Sequence, residues 1–281
     1  MAERVRVAVP SKGRLREDCL TLLSTAGYRT SGLTGGGAIA AVDGIEFLEM
    51  RSRDAAAALA AGGLDAAFIA TDLVLDNDLE ALPRTPLGFS RSDLVVASRD
   101  DDDRVDAADL AGATVATHLP RAAERFFSDR GIDVAVLEMG GSLEGVVAAG
   151  IADALVDLRE TGRSLRANRL RVLEEIAACQ AELVAQPGHA VIDDLTLRLE
   201  AVLAAQRHRY VMLHVPSERL DALRELFPGL AAPTVLPLAG REDLVAVHFV
   251  VAAEELWSRL SDLRALGATG IVALEPQALL D

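Results

Sequence analysis

The amino-acid sequence predicts a mixed α/β protein in three parts, two βα lobes followed by a small β-α-β-β-α-β domain. Three observations predict it. Short aliphatic runs of strand length, such as residues 94–98 and 154–156, alternate with stretches like Leu15, Cys19, Leu22, Leu23 and Ala26 whose spacing is helical. The chain has 281 residues, 51% hydrophobic and only 4% aromatic, which is material for two or three cores packed with small aliphatic side chains. From Tyr210 onward the order becomes strand, helix, two strands, helix, strand, the ferredoxin-like arrangement.

Residues 4–9 alternate polar and apolar as a first strand, which Pro10-Ser11-Lys12-Gly13-Arg14 ends before a helix to Gly27. Basic residues in a glycine turn after a first strand lie where open α/β sheets bind ligands, so Lys12 and Arg14 are candidate anion contacts; a solvated basic loop is the alternative. Strands 38–42 and 45–50 flank Asp43-Gly44 as a hairpin. Arg51 follows, and Ser52 or Asp54 is placed to cap an Ala-rich helix to Ala61. Strand 64–69 ends at Ala70-Thr71-Asp72, and Pro83 and Pro86 mark a break that closes the first lobe (residues 1–90).

The second lobe, residues 91–175, holds strand 94–98, an acidic loop, strand 114–117, helix 121–130, strand 134–137 and helix 143–149. His118, at a strand end, reads first as a satisfied polar residue and second as a ligand contact. Extended segments 171–176 and 182–185, with a helix through Leu195, Leu199, Val202 and Leu203, then return the chain to the first lobe, completing it over 176–206 and leaving a cleft. The third domain spans 207–281.

The chemistry is placed at Asp153 through Asn168. A buried parallel strand (Ala154, Leu155, Val156) runs toward Thr161-Gly162-Arg163-Ser164 and a helix start, where free N–H groups and the positive end of the helix dipole converge on an anion. Asp153 and Asp157 flank the apolar run, and carboxylates there suit sugar hydroxyls or a magnesium ion. Phosphate beside hydroxyls describes a phosphorylated ribose; an ordinary strand–turn–helix corner with a serine N-cap is the competing reading. Glu138 and Ser142 share that edge if the sheet is parallel.

The net charge of −15 argues against a general nucleic-acid or anionic-membrane binder, while local arginines can still hold a phosphorylated small molecule. No apolar run approaches the ~20 residues of a membrane span, and the N-terminus lacks the apolar core of a signal peptide. Cys19 and Cys179 read as free thiols in a reducing cytoplasm, too few for a metal site.

Val7-Ala8-Val9-Pro10-Ser11-Lys12-Gly13-Arg14-Leu15 is similar to the opening Ala-x-Pro-Asn/Ser-Lys-Gly-Arg-Leu of the ATP phosphoribosyltransferase family, which catalyses the first step of histidine biosynthesis. Gly150-Ile151-Ala152-Asp153-Ala154-Leu155-Val156-Asp157-Leu158, continuing to Thr161-Gly162-Arg163-Ser164-Leu165 and Ala167-Asn168, resembles the family's phosphoribosyl-pyrophosphate motif. Pro228-Gly229-Leu230, Ala232-Pro233-Thr234-Val235 and Leu266-Gly267-Ala268 resemble the regulatory domain of its long form.

The resemblance implies two catalytic lobes folded like a periplasmic binding protein plus an ACT-like, ferredoxin-like regulatory domain. It implies that N1 of ATP displaces pyrophosphate from phosphoribosyl pyrophosphate with Mg2+ present, that histidine inhibits, and that dimers exchange with hexamers. Thr161, Gly162, Arg163 and Ser164 would hold the 5′-phosphate and Asp157 and Asp153 the ribose hydroxyls. Lys12, Arg14, Arg51 and Asp72 would serve pyrophosphate or ATP, and His214, Leu230, Thr234 and Gly270 are candidates for the inhibitor. Two departures bear on the acceptor: Phe68-Ile69-Ala70-Thr71-Asp72 replaces the family's usual Gly-Ile-x-Gly strand end, and Gly35-Gly36-Gly37-Ala38 stands where many members carry an arginine. A transferase with another acceptor and a non-catalytic amino-acid-binding protein are the competing readings.

Overall fold

The computed structural model describes residues 4–34, 39–228 and 233–280. The chain forms two compact units, divided between Thr196 and Leu197. The first unit opens with β1 (Val5–Pro10), α1 (Arg14–Thr25), α2 (Ser31–Thr34), β2 (Ile39–Val42), β3 (Ile45–Met50), α3 (Ser52–Ala60), β4 (Ala66–Ala70), α4 (Thr71–Asp76) and β5 (Arg84–Pro86). It continues with β6 (Ser92–Arg99), β7 (Thr114–Thr117), α5 (Pro120–Ser128), β8 (Ala135–Glu138), α6 (Leu143–Ala148), β9 (Ala154–Arg159), α7 (Arg163–Ala167) and β10 (Leu170–Cys179). The chain then returns through β11 (Ala181–Ala185) to the long helix α8 (Ala190–Gln206), which runs across the division between the units.

Two sheets result, ordered β2-β3-β1-β4-β11-β5 and β10-β6-β9-β7-β8. β1 lies parallel to β3 and β4, and β7 lies parallel to β8 and β9, as βα alternation requires. β11 pairs antiparallel with β4 and β5 and lies between them in the first sheet. The crossing falls a few residues later than expected, because β10 stays paired with β6 as far as Cys179. The proline-marked break contains an edge strand, β5, a position that tolerates Pro86. Neither Ser52 nor Asp54 caps α3: the helix begins one residue earlier than a serine cap needs, with Arg51 at the N-cap and no side-chain cap bond.

The faces of β9 show why its aliphatic run folds as it does. Ala154 and Val156 enter a core shared by both sheets, which also holds Ala56, Ile69 and Phe127, while Leu155 points into a second core with Val147 and Leu165. A strand buried on both faces needs an unbroken apolar run rather than alternation.

The second unit contains β12 (His208–Pro216), α9 (Leu220–Leu226), β13 (Thr234–Leu238), β14 (Arg241–Ala252), α10 (Ala253–Ala265) and β15 (Thr269–Leu274). Its sheet is antiparallel in the order β13-β14-β12-β15, which is the ferredoxin-like topology. Alternate residues Val211, Leu213 and Val215 of β12 and Val247, Phe249 and Val251 of β14 pack with Leu223, Phe227, Leu256 and Leu263 from the helical layer. Ser217 opens a 3₁₀ turn and donates its hydroxyl to the Asp243 carbonyl instead of capping a helix. Among the described residues no helix is long and apolar enough to cross a membrane.

Candidate active site

Ligands of parallel sheets collect at the C-terminal strand ends, and both sheets of the first unit place chemistry there. Lys12 and Arg14 follow β1, Arg51 follows β3 and Asp72 follows β4. The Ser11 N–H donates to the Met50 carbonyl at 2.8 Å, tying the loop of Lys12 to that of Arg51. On the other sheet His118 follows β7, Gly140 and Gly141 follow β8, and Thr161 to Ser164 follow β9. A cleft of about 500 Å³ is lined by Arg51, Arg53, Asp54, His118, Gly140, Gly141, Leu143 and Asp157. A second hollow of about 390 Å³, lined by Arg91, Asp93, Glu160 and Gln180 among others, lies along the same edge, where β6 begins and β10 ends.

The turn after β9 is built as an anion cradle. Gly162 takes the left-handed conformation, φ +67°, and is the N-cap of α7, where the competing reading had a serine. Leu165 anchors that short helix in the core. Arg166 donates to the Thr161 carbonyl at 3.0 Å and the Asn168 amide to the Ser164 carbonyl at 3.0 Å, which fixes the loop from behind. Among the described residues, the N–H groups of Thr161, Gly162, Arg163, Ser164 and Leu165 donate to no protein acceptor. The Ser164 hydroxyl is held by the Glu144 carboxylate of α6.

The two carboxylates of the motif part company. Asp157 lines the cleft; its Oδ1 accepts the Leu158 N–H at 2.7 Å and lies 3.4 Å from His118 Nδ1. Burial pushes Asp157 above the usual carboxylate range; the Leu158 N–H and His118 oppose that rise, and Glu144 adds to it. Asp153 does not reach the site. It precedes β9, accepts the Thr114 N–H at 2.9 Å and pairs with Arg104 at 3.2 Å. Four residues of extended chain put the two positions ~13 Å apart, at opposite edges of the sheet. Asp153 therefore anchors the start of the strand, a correction to its expected place beside the sugar.

Asp72, at the start of α4, is 5% exposed, and its Oδ1 has no hydrogen-bond partner. Burial raises its pKa, and the nearby charge of His118 is the largest influence opposing that rise. Lys12 and Arg163 are exposed, and Arg14 pairs with Asp18 at 3.8 Å. Three further residues come into the site that the motifs alone did not assign to it. The Arg53 guanidinium donates to the His118 carbonyl and lies 3.5 Å from Glu138, so it joins the two sheet edges. His118 sits beside Asp157, and Glu144 holds Ser164. The one sequence signal for Arg53 was its place two residues after Arg51 at a strand-to-helix turn.

In the second unit, His214 and Gly270 are neighbours: a Cβ built on Gly270 would lie 3.4 Å from His214 Nδ1. Thr234 is not with them, for it pairs with His248 from the far edge strand. Leu230 and Gly35-Gly36-Gly37-Ala38 lie outside the described residues.

The family profile described as ATP phosphoribosyltransferase matches residues 51–204, and that described as HisG, C-terminal domain, matches residues 205–276. A protein named ATP phosphoribosyltransferase from Gemmatimonas aurantiaca is 38% identical over 291 residues, covering 98% of this chain and 99% of its own. One of the same name from Methanopyrus kandleri is 36% identical over 281 residues, covering 98% and 99%. Among solved structures, the ATP phosphoribosyl transferase (HisG:HisZ) complex from Thermotoga maritima shares the fold, with a TM-score of 0.59 and 24% identity over 70% of this chain and 98% of that one. With both profiles matched and full-length relatives well above 30% identity, the chain belongs to the ATP phosphoribosyltransferase family, the pentosyl-transferring enzymes of histidine biosynthesis, in its long form with the C-terminal domain.

Proposed function

We propose that the cleft binds phosphoribosyl pyrophosphate, that N1 of ATP displaces its pyrophosphate, and that histidine inhibits through the second unit. The observation that carries the donor assignment is the meeting of Asp157 with the uncommitted N–H groups of Thr161, Gly162, Arg163 and Ser164 at one sheet edge. A phosphate monoester takes N–H and hydroxyl donors, whereas ribose hydroxyls donate to a carboxylate, so the 5′-phosphate belongs on the turn and the sugar beside Asp157. Ser164 would exchange Glu144 for phosphate oxygen when the donor arrives.

Adenine N1 in neutral ATP carries a lone pair and no proton, so the displacement needs no general base and rests on alignment and charge stabilisation. The negative charge of Asp157 favours the cationic character that develops at the anomeric carbon. Arg51 and Arg53 in the cleft, with Lys12 and Arg14 on the same lobe edge, supply cations for pyrophosphate or ATP phosphates. Magnesium would be carried by the substrate rather than by side chains, since among the described residues no group of three or more His, Cys, Asp or Glu could hold a metal ion; when bound it would neutralise leaving-group charge. Both cysteines are buried free thiols, and burial pushes Cys179 up to about 12 and Cys19 up as well, so neither is poised as a reactive thiolate.

The test is direct. Incubation with ATP, phosphoribosyl pyrophosphate and Mg2+ should produce the absorbance of the N1 adduct, and added histidine should suppress it. No adduct under any condition would sink the transfer reading; activity indifferent to histidine would sink the regulatory one. Replacing ATP by other purine nucleotides reads whether the Ala70-Thr71-Asp72 strand end alters the acceptor. Light scattering with and without histidine tests the expected dimer–hexamer exchange.

A further inference from the structure

His118 belongs to none of the motifs, yet groups from both sheets converge on it. Its imidazole Nδ1 lies 3.4 Å from Asp157 Oδ1, its carbonyl receives the Arg53 guanidinium, and its charge reaches the buried Asp72 of the other sheet. Asp157 and Asp72 thus come from different lobes of the first unit, β9 and the start of α4, with one imidazole between their fields. We propose that His118 is a positioning residue for the donor site, whose imidazole, when protonated, keeps the Asp157 carboxylate charged and aimed at the ribose hydroxyls. This rests on the donor assignment above and adds a residue to it.

The charged groups around the pair fix the sign. Glu144 from α6 and Asp72 from α4 add negative potential, with Asp76 one turn beyond Asp72. Glu138 at the end of β8 is engaged by Arg53 from α3, and Asp54 of the same helix lines the cleft. Arg51 also lines it, and Arg121 at the start of α5 acts on Asp76. Arg53 donates to the backbone of His118, and its guanidinium is shared with Glu138, so the imidazole is the basic group placed against Asp157 itself. Without its protonated form, burial and Glu144 act unopposed except by the Leu158 N–H, and Asp157 holds its proton to higher pH.

The experiment compares wild type with His118→Gln and His118→Lys, measuring kcat/KM for phosphoribosyl pyrophosphate from pH 5.5 to 9 (roughly the window in which a histidine changes charge). His118→Gln should move the acid limb up by about one pH unit. KM for the donor should rise about tenfold on that limb and converge with wild type at the alkaline end, with kcat changed much less. His118→Lys, which retains a cation, should restore the wild-type limb. Both variants keep the carbonyl that Arg53 uses, and their melting curves check folding. A pH-independent loss in His118→Gln, or a loss in His118→Lys equal to that in His118→Gln, would overturn the proposal in favour of simple packing. If both variants fail to fold, a carboxyl-labelled wild type decides: the Asp157 titration must shift when His118 changes charge, and an independent titration overturns the role. Calorimetry with wild type separates the two readings. No donor binding removes the site assignment, whereas normal binding with an unmoved acid limb removes the role of His118 alone.

Discussion

Replacing Asp153 by alanine separates anchoring from binding within a single motif. The substitution removes the acceptor of the Thr114 N–H at 2.9 Å and the partner of Arg104 at 3.2 Å. A hydrogen bond to a charged acceptor contributes ~1.5–3 kcal/mol. The ion pair adds little, since the two side chains are 25% and 37% exposed and Arg104 keeps Asp102 as a partner. Water can reach part of the vacated site, so the expected loss is about 2 kcal/mol, or roughly 4–8 °C in the melting of the first unit. The assay pairs thermal unfolding with the KM for phosphoribosyl pyrophosphate, which should stay within about twofold of wild type. Asp157→Asn should do the reverse: it keeps the shape but loses the charge on the ribose hydroxyls, about 10–150-fold in kcat/KM, with no fall in the melting temperature, since burial disfavours the charge it removes. An Asp153→Ala protein that melts normally but loses donor affinity tenfold or so would refute the strand-edge argument.

Other outcomes follow from the same geometry. Gly162→Ala puts an L-residue at φ +67° with its Cβ 3.0 Å from Arg166 Nη1, so the cradle should be strained by ~1–2 kcal/mol and KM for the donor should rise roughly 5–30-fold in steady-state assays. Asp72→Asn should stabilise the free protein at neutral pH. Burial raises the Asp72 pKa, so the neutral form's contribution is present below the unfolded value of about 3.9 and lost as pH rises through the folded one. Urea unfolding at pH 7 should favour the variant and at pH 3.5 or so should show no difference. Leu223→Ala, at a fully buried site in the second unit, should cost about 2–5 kcal/mol and lower that unit's transition, read by unfolding of the full chain.

The sheets were legible because their strands are short aliphatic runs between helical periods, and the ferredoxin-like order was legible because its turns and capping glycines punctuate it. What escaped was set by distant partners. β5 pairs with β11, which arrives about a hundred residues later, so no local pattern announces a strand around Thr85. Ser52 and Asp54 are good cap types, but a cap is chosen by where the backbone leaves β3, and α3 starts at Ser52 itself. His118 follows β7 and Arg53 and Glu144 stand on α3 and α6, and only the packing of both sheets makes them neighbours.

The cradle motif shows the limit most clearly. Hydropathy marks Ala154, Leu155 and Val156, so Asp153 and Asp157 look like symmetric flanks of one short strand. The strand in fact continues through Asp157 to Arg159, paired to Asp93 and Leu94 of β6 by backbone hydrogen bonds that have no hydropathy signature. That extension breaks the symmetry. One carboxylate stays at the closed end, where a backbone N–H and Arg104 engage it. The other is carried to the open end, where burial, Glu144 and His118 compete over its charge. A stabilising acceptor and a tunable binding group are thus four residues apart on the same β-strand, and their sequence spacing alone cannot tell them apart because it does not say where the strand's hydrogen bonding stops.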